Sequence, residues 1–255
     1  MQQGFPEKKI KQFWEERAQE GRGENEITHR DIWQRWLEIE YIKAFLDREA
    51  RVIDIGCGNG HTTGLIAPLV KEVTGIDYSK AMIERARAAS PRIAFGVCDV
   101  MDLSPSGYGT FDVAISERCL INLTSWKDQK KAIGNIASVI KEGGLFLFIE
   151  GSQDGRRRLN EARGSIGLDA MPPVWHNLDF DEKKLTAYLK RFFKIEKRLH
   201  FGIYDLIARV VHPLLVAPEE PKYEARINEI AAQMALKRQD CQDISRTIFL
   251  ALRKK

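Results

Sequence analysis

An α/β fold, with a doubly wound and mostly parallel sheet covered by helices on both faces, is what three features of this 255-residue chain predict. From Arg51 onward, short apolar runs of strand character alternate with segments of helical periodicity, and that alternation builds parallel sheets. The first run, Val52-Ile53-Asp54-Ile55, ends in Gly56-Cys57-Gly58-Asn59-Gly60. Glycines there let the backbone turn sharply and approach a ligand with no Cβ in the way, and a helix starting near Gly60 would aim free N–H groups at it. Seventeen residues beyond Gly60 a second apolar run closes on Asp77. An acidic side chain in that place accepts hydrogen bonds from ribose hydroxyls in nucleotide-binding sheets, whose ligands sit at the carboxyl ends of the strands. Asp77 also fits a simpler role as a cap for the helix that begins near Ser79.

Residues 1–48 read as an N-terminal helical cap and residues 49–255 as the sheet domain. Phe13 to Asp47 is mostly helical with a polar break at Gly21 to Asn25, and Trp33, Trp36, Leu37, Ile39, Ile42 and Phe45 are spaced for a buried stripe. Strands are expected near 51–55, 72–77, 93–97, 111–116 and 144–150, with helices near 60–70, 79–90 and 125–141. Two lid-like insertions, 151–179 and 203–240, follow. The first half of Gly151 to Asp179 is too polar for core and reads as a surface loop over the strand ends, with Arg156-Arg157-Arg158 in a solvated turn or, as the lesser alternative, against an anionic partner. A helix at 181–190 and a strand at 192–200 come between the insertions. Asp205 to Asp240 reads as two helices broken by Pro213, Pro218 and Pro221. Its apolar stripe of Leu206, Ile207, Val210, Val211, Leu214 and Leu215 suits packing on the protein's own domain better than a membrane surface. Ser245 to Leu252 is the final strand.

Hydrophobic residues at 44% and charged ones at 30% describe a globular chain. Its start is charged, with no secretory apolar core, and no stretch approaches membrane-span length, which implies a cytoplasmic protein. Cys57, Cys98, Cys119 and Cys241 show no metal spacing and fit a reducing compartment, and five scattered histidines give no support for a zinc site. A net charge of +4 permits an anionic substrate without requiring nucleic acid.

The glycine spacing narrows the ligand. A dinucleotide fingerprint wants G-x-G-x-x-G, whereas this chain has G-x-G-x-G with Asp54 just upstream, and that carboxylate would repel a pyrophosphate. It would attract the ammonium of S-adenosylmethionine. Val52 to Gly60 and Val73 to Asp77 resemble the first two motifs of the class I S-adenosylmethionine-dependent methyltransferases. Val97-Cys98-Asp99-Val100 is similar to the segment whose acidic residue receives the adenine amine, Phe111 to Ser116 to the fourth strand, and Lys141-Glu142-Gly143-Gly144 to the turn into the fifth. The resemblance implies a seven-stranded sheet whose last strand is antiparallel and inserted between the fifth and sixth. It implies cofactor contacts from Asp54, Gly56, Cys57, Gly58, Asp77, Tyr78, Met82, Asp99, Val100, Ser116 and Glu117, and from Trp14 folded across the cofactor, although Trp14 also fits a core position and Asp99 a cap.

An alcohol acceptor also needs a base for its proton. His176, flanked by Trp175 and Asn177, is the preferred candidate, although it equally fits a cap ahead of the helix at Asp181. Glu150 and Arg118, which end or follow neighbouring strands, complete the candidate catalytic set, and Glu150 also fits a structural role bonded to loop amides. Arg118, Arg163 and Arg209 could hold an anionic group of the acceptor, and Arg17, His29 and Arg30 could line the lid. The segment Ser116 to Leu123 lacks the prolines and aromatic residue of the enzymes that methylate nucleic-acid bases. The two insertions are placed as in small-molecule or sugar-modifying members of the family, and that resemblance implies methylation of an oxygen, or less readily a nitrogen, on a small molecule, sugar or glycan. An RNA methyltransferase and a non-catalytic, S-adenosylmethionine-binding regulatory protein are the alternatives, and a nicotinamide dehydrogenase is disfavoured by the missing third fingerprint glycine.

Overall fold

The computed structural model describes residues 6–20, 27–238 and 240–255, so the polar break expected at 21–25 lies outside it. Helices α1 (Glu7–Gln19) and α2 (Ile32–Lys43) precede the sheet. Asp31 starts α2 by accepting the Gln34 N–H at 3.1 Å, an N-cap that satisfies one of the helix's orphan donors. Of the expected stripe on this helix, Leu37, Ile39 and Ile42 are fully buried, while Trp33, Trp36 and Phe45 are partly buried against the same core. Gln34, Arg35 and Glu38 are buried as well. One turn of α2 is therefore polar and enclosed, which its apolar periodicity conceals.

The alternation that follows is β1 (Arg51–Ile55), α3 (His61–Ile66), β2 (Glu72–Asp77), α4 (Lys80–Ala89), β3 (Ala94–Val97), β4 (Phe111–Glu117), α5 (Trp126–Val139) and β5 (Ile140–Gly151). Then come α6 (Gln153–Gly164), α7 (Glu182–Leu189), β6 (Phe193–His200), a helical run over 202–216, α8 (Arg226–Lys237) and β7 (Thr247–Lys254). The sheet order is β3-β2-β1-β4-β5-β7-β6. Strands β1 to β5 pair in parallel, and β7 is antiparallel to both β5 and β6. This is the seven-stranded order the resemblance implies. One apolar layer, with Ile133, Ile136, Phe146 and Phe193, packs α5 and α7 on one face. The other, with Leu37, Ile42, Leu147, Ala231 and Phe249, packs α2 and α8 on the opposite face. Buried on both sides, the central strands are near-continuous apolar runs, as parallel sheets require.

Two expectations need correction. The first half of 151–179 is the helix α6, not a surface loop: Ser152 caps it by accepting the Gly155 N–H at 2.9 Å, and only Gly155 and Leu159 are buried. A helix that buries so narrow a stripe carries few apolar residues, so its composition imitates a loop. Arg156, Arg157 and Arg158 lie on α6 and diverge: Arg157 pairs with Glu161 in solvent, Arg158 reaches Asp243, and Arg156 turns inward. Second, Pro213 does not break the 202–216 run. It occupies the first turn of His212–Val216, where a missing N–H is tolerated. The middle of this run, Ile207–Val211, is π-helical and buries Arg209. The stripe of the run is divided, with Val210 buried and Val211, Leu214 and Leu215 exposed. No helix of the described residues is long and apolar enough to cross a membrane.

Gly155 is where α6 touches the segment leading into β7, since a Cβ at this position would collide with the Ser245 carbonyl oxygen. Gly155→Ala is expected to destabilise the protein by about 1–3 kcal/mol, the range for forced overpacking, read as a lowered Tm. An unchanged Tm would mean that α6 is not packed as described.

Candidate functional site

The carboxyl ends of β1, β2 and β4, the start of β7, and the helices α1 and α2 enclose one cleft of about 540 Å³, within the usual range of small-ligand sites. Its floor is the glycine turn after β1. Gly56, Gly58 and Gly60 all have φ between 54 and 77°, the left-handed region that only glycine enters readily. Space is as restrictive as torsion, because a Cβ on Gly56 would sit 2.5 Å from Cys119 Cβ. The turn after β1 and the loop after β4 thus meet at van der Waals distance.

The acidic groups cluster at this floor. Asp77 accepts the Gly58 N–H at 3.0 Å through one oxygen and the Ser79 N–H at 2.8 Å through the other. Burial pushes its carboxyl up to about 6 against those two hydrogen bonds. Asp54 accepts the Thr63 hydroxyl at 2.6 Å, and burial pushes it up to about 7, with Glu117 and Asp77 adding repulsion. Glu117 accepts the Thr62 hydroxyl at 2.9 Å. Burial drives Glu117 upward too, but the guanidiniums of Arg118 and Arg35 prevail and hold it below the usual range. Desolvated carboxylates facing a cavity are the arrangement that a ligand ammonium relieves. Tyr78 and Met82 line the same end, and the buried Tyr78 hydroxyl has no hydrogen-bond partner.

Helix α1 closes the cleft from above. Glu15 accepts hydrogen bonds from the Ser79 hydroxyl at 2.5 Å and the Ala81 N–H at 3.2 Å, and Lys11 pairs with Asp99 at 2.7 Å. Trp14 Nε1 donates to Asn122 Oδ1 at 3.0 Å, and His176 Nδ1 meets the same oxygen at 3.0 Å. Indole N–H is donor only, so that oxygen is the acceptor of both, His176 carries its proton on Nδ1, and Nε2 keeps the lone pair. The His176 ring stacks on Phe13 at 4.9 Å and meets Trp14 and Trp175 edge-on, each at 5.2 Å. Burial, then the nearby Arg17 charge, pull its imidazole down to about 4. At neutral pH it is an uncharged base in an aromatic, water-poor wall.

Of the residues expected at the site, Trp14, Asp54, Gly56, Cys57, Gly58, Asp77, Tyr78, Met82, Glu117, Arg118 and His176 line this cleft. Asp99, Val100, Ser116 and Glu150 do not. Asp99 accepts the Met101 N–H at 2.9 Å and caps the turn Val100–Asp102, with Lys11 on its other oxygen. Glu150 is fully buried and takes the Ser116 hydroxyl at 2.6 Å together with the N–H groups of Cys119, Leu120 and Ile121 at 3.0–3.2 Å. It shapes the loop after β4 and does not line the cleft. Arg118 has φ 52°, an uncommon backbone state for a non-glycine residue, and its guanidinium bridges Glu38 and Glu117. Arg163 is turned away, onto the carbonyls of Asp169 and Arg209. Sequence reading missed Asn122, which sets the His176 tautomer, and Arg35, Arg156 and Arg246, which also line the cleft. No local motif marks these four; only the fold brings them together.

Residues 52–144 match the family model described as a methyltransferase domain, and residues 5–95 match that of protein-L-isoaspartate(D-aspartate) O-methyltransferase. A putative methyltransferase of Encephalitozoon cuniculi is 29% identical over 71% of this chain and 80% of its own. A probable S-adenosylmethionine-dependent methyltransferase of Mycolicibacterium smegmatis is 26% identical over 72% of this chain and 69% of its own. Among solved structures, the N-methyltransferase NodS of Bradyrhizobium japonicum, in complex with S-adenosyl-L-homocysteine, shares the fold, with a TM-score of 0.61 over 96% of this chain and 98% of its own at 17% identity. The chain is a class I S-adenosylmethionine-dependent methyltransferase. Its methyl donor is S-adenosylmethionine.

The site fits that donor, with a glycine floor no Cβ could share and two desolvated carboxylates in need of positive charge or hydroxyl donors. Asp77→Ala is expected to abolish S-adenosylmethionine binding in a calorimetric titration, and wild-type affinity would refute this placement of the cofactor. The titration also carries a pH signature. Asp54 and Asp77 must be ionised to attract the donor, and their pKa values of about 7 and about 6 fall on binding. Affinity should be full above pH 7 and decline as pH drops through 7 and 6, by about tenfold per unit for each proton that must be released. A flat profile from pH 7.5 to 5.5 would contradict the assigned charges.

Proposed function

We propose that this protein transfers the methyl group to an oxygen, in preference to a nitrogen, of a small molecule, sugar or glycan, with His176 as the base. The observation that carries this reading is the His176–Asn122–Trp14 constellation, which leaves a lone pair on Nε2 in the wall of the cleft. S-adenosylmethionine supplies a methyl carbon already activated by its sulfonium charge, so the protein's work is alignment, water exclusion and deprotonation. Phe13, Trp14 and Trp175 exclude water around His176. The imidazole Nε2 accepts the acceptor hydroxyl's proton as the new C–O bond forms, and the Asn122 amide oxygen, bonded to Nδ1–H, faces the positive charge that develops on the ring. Arg118 is a positioning residue that fixes Glu117 and Glu38. Cleft size supports a small acceptor over a nucleic acid, and four free cysteines support a cytoplasmic setting.

His176→Asn is expected to lower kcat on a hydroxyl acceptor by about 10²–10⁴-fold, the effect of losing a general base, with S-adenosylmethionine affinity unchanged. An amine acceptor needs no such base. Full activity of the variant would therefore remove His176 from the chemistry and move the acceptor atom to nitrogen.

A further inference from the structure

The cleft has a second pole. Arg156 from α6, Arg209 from the π-helical turn and Arg246 ahead of β7 line the cleft on the β7 side, and Arg35 from α2 stands between them and the glycine turn, bonded to Thr28, which packs on Gly58. Their partners do not consume them. Arg156 pairs with Asp179, and Arg209 pairs with Asp31 and lies 3.7 Å from Asp205. Arg246 reaches Gln34 at 3.0 Å and Asp205 at 3.4 Å, and Arg35 donates to the Thr28 hydroxyl. Arg156, Arg209 and Arg246 thus face Asp179, Asp31 and Asp205, while Arg35 lies in the field of Glu117 and Glu38. Beside them, Arg118 is already shared by Glu38 and Glu117, and burial raises Glu38 to about 7, which weakens the negative charge of that trio.

Among the described residues three guanidinium donors, Arg35 Nη1, Arg209 Nε and Arg246 Nε, are buried without a hydrogen-bond partner, and so is Nδ1 of His29 beside them. Arg35 and Arg209 are themselves 4% and 7% exposed. Buried donors without acceptors are uncommon in a folded chain and call for an explanation. The imidazole of His29 reports the local field, since burial and then Arg118, Arg35, Arg246 and Arg209 push it well below its ordinary value.

We propose that the acceptor carries a carboxylate, held on the β7 side of the cleft by Arg156, Arg209 and Arg246 with Arg35 on its inner flank, as a handle separate from the atom that is methylated. This deepens the methyltransferase reading above and rests on it. Unclaimed planar N–H forks with no more than one unbalanced positive charge suit a monoanionic carboxylate better than a phosphate dianion. Separation follows from the sheet order. The glycine turn ends β1 and Arg246 precedes β7, three strand steps away, or about 14 Å at the usual strand spacing. A carboxylate held on the β7 side is displaced from the cofactor floor, and the acceptor must span the interval.

The test compares benzoate with benzamide, its neutral near-isostere, and with inorganic phosphate, by titration of the full chain with and without saturating S-adenosyl-L-homocysteine. Benzoate is expected to bind at least about tenfold more tightly than benzamide, the worth of one charge-assisted hydrogen bond. Arg246→Gln and Arg35→Gln should each erase the difference, and Arg246→Lys, which keeps a charge but not the fork, should retain part of it. Arg246 is partly exposed, so its variants keep the test available should Arg35→Gln not fold. Equal binding of benzoate and benzamide, preference for phosphate, or benzoate affinity unaffected by the Arg246 variants would overturn the proposal. Affinity for S-adenosyl-L-homocysteine in the same samples reports on the cofactor half alone, so failure of the methyltransferase site and failure of the carboxylate handle give different results.

Discussion

The close approach of the β1 turn to the β4 loop governs this molecule. Gly56 lies against Cys119 with no space for a side chain, and the loop bearing Cys119 is in turn drawn onto Glu150, whose two oxygens collect three backbone N–H groups. Burying a carboxylate without such donors would be costly. Here it bends the chain after β4 so that Glu117 and Arg118 face the cleft and Asn122 can reach both Trp14 and His176. The residues that line the cleft and the residue that places them are therefore distinct, and Glu150 belongs to the second kind.

The cleft is bipolar. Its floor carries desolvated carboxylates and its far end carries guanidiniums, and each pole leaves some of its bonding capacity unused by the protein. Asp31 joins the two halves of the chain around the far pole. It caps α2, accepts the Tyr204 hydroxyl at 2.5 Å and pairs with Arg209 in the π-helical turn. The extra residue of a π turn re-aims a side chain within a helix, and such turns gather at functional sites. Through Asp31 the start of α2 and the late helical run form one wall of the cleft.

The parallel sheet and the glycine floor of the cleft were legible because they depend on local signals: alternating apolar runs, a glycine turn whose φ values other residues resist, and an acid at the end of the next strand. The full strand order came from the resemblance those motifs carry. The acceptor side was not legible, for physical reasons visible in particular residues. Arg156 sits in a charged triplet whose other members are solvated, so composition cannot separate it from them. Arg35 and Glu38 lie on a helix whose apolar neighbours dominate its period. Asn122 carries no signal of its own, and its role exists only because Trp14 and His176 arrive from segments 108 and 54 residues away. The α6 helix was hidden by its polarity.

Direct calorimetric titration of the wild-type chain with S-adenosylmethionine, with NAD as a parallel control, bears most immediately on the central claim that Asp54, the glycine turn and Asp77 form a methyl-donor site. Saturable binding of S-adenosylmethionine at one site per chain and none of NAD is the result this account predicts. Binding of NAD, or of neither ligand by a folded sample, would contradict it.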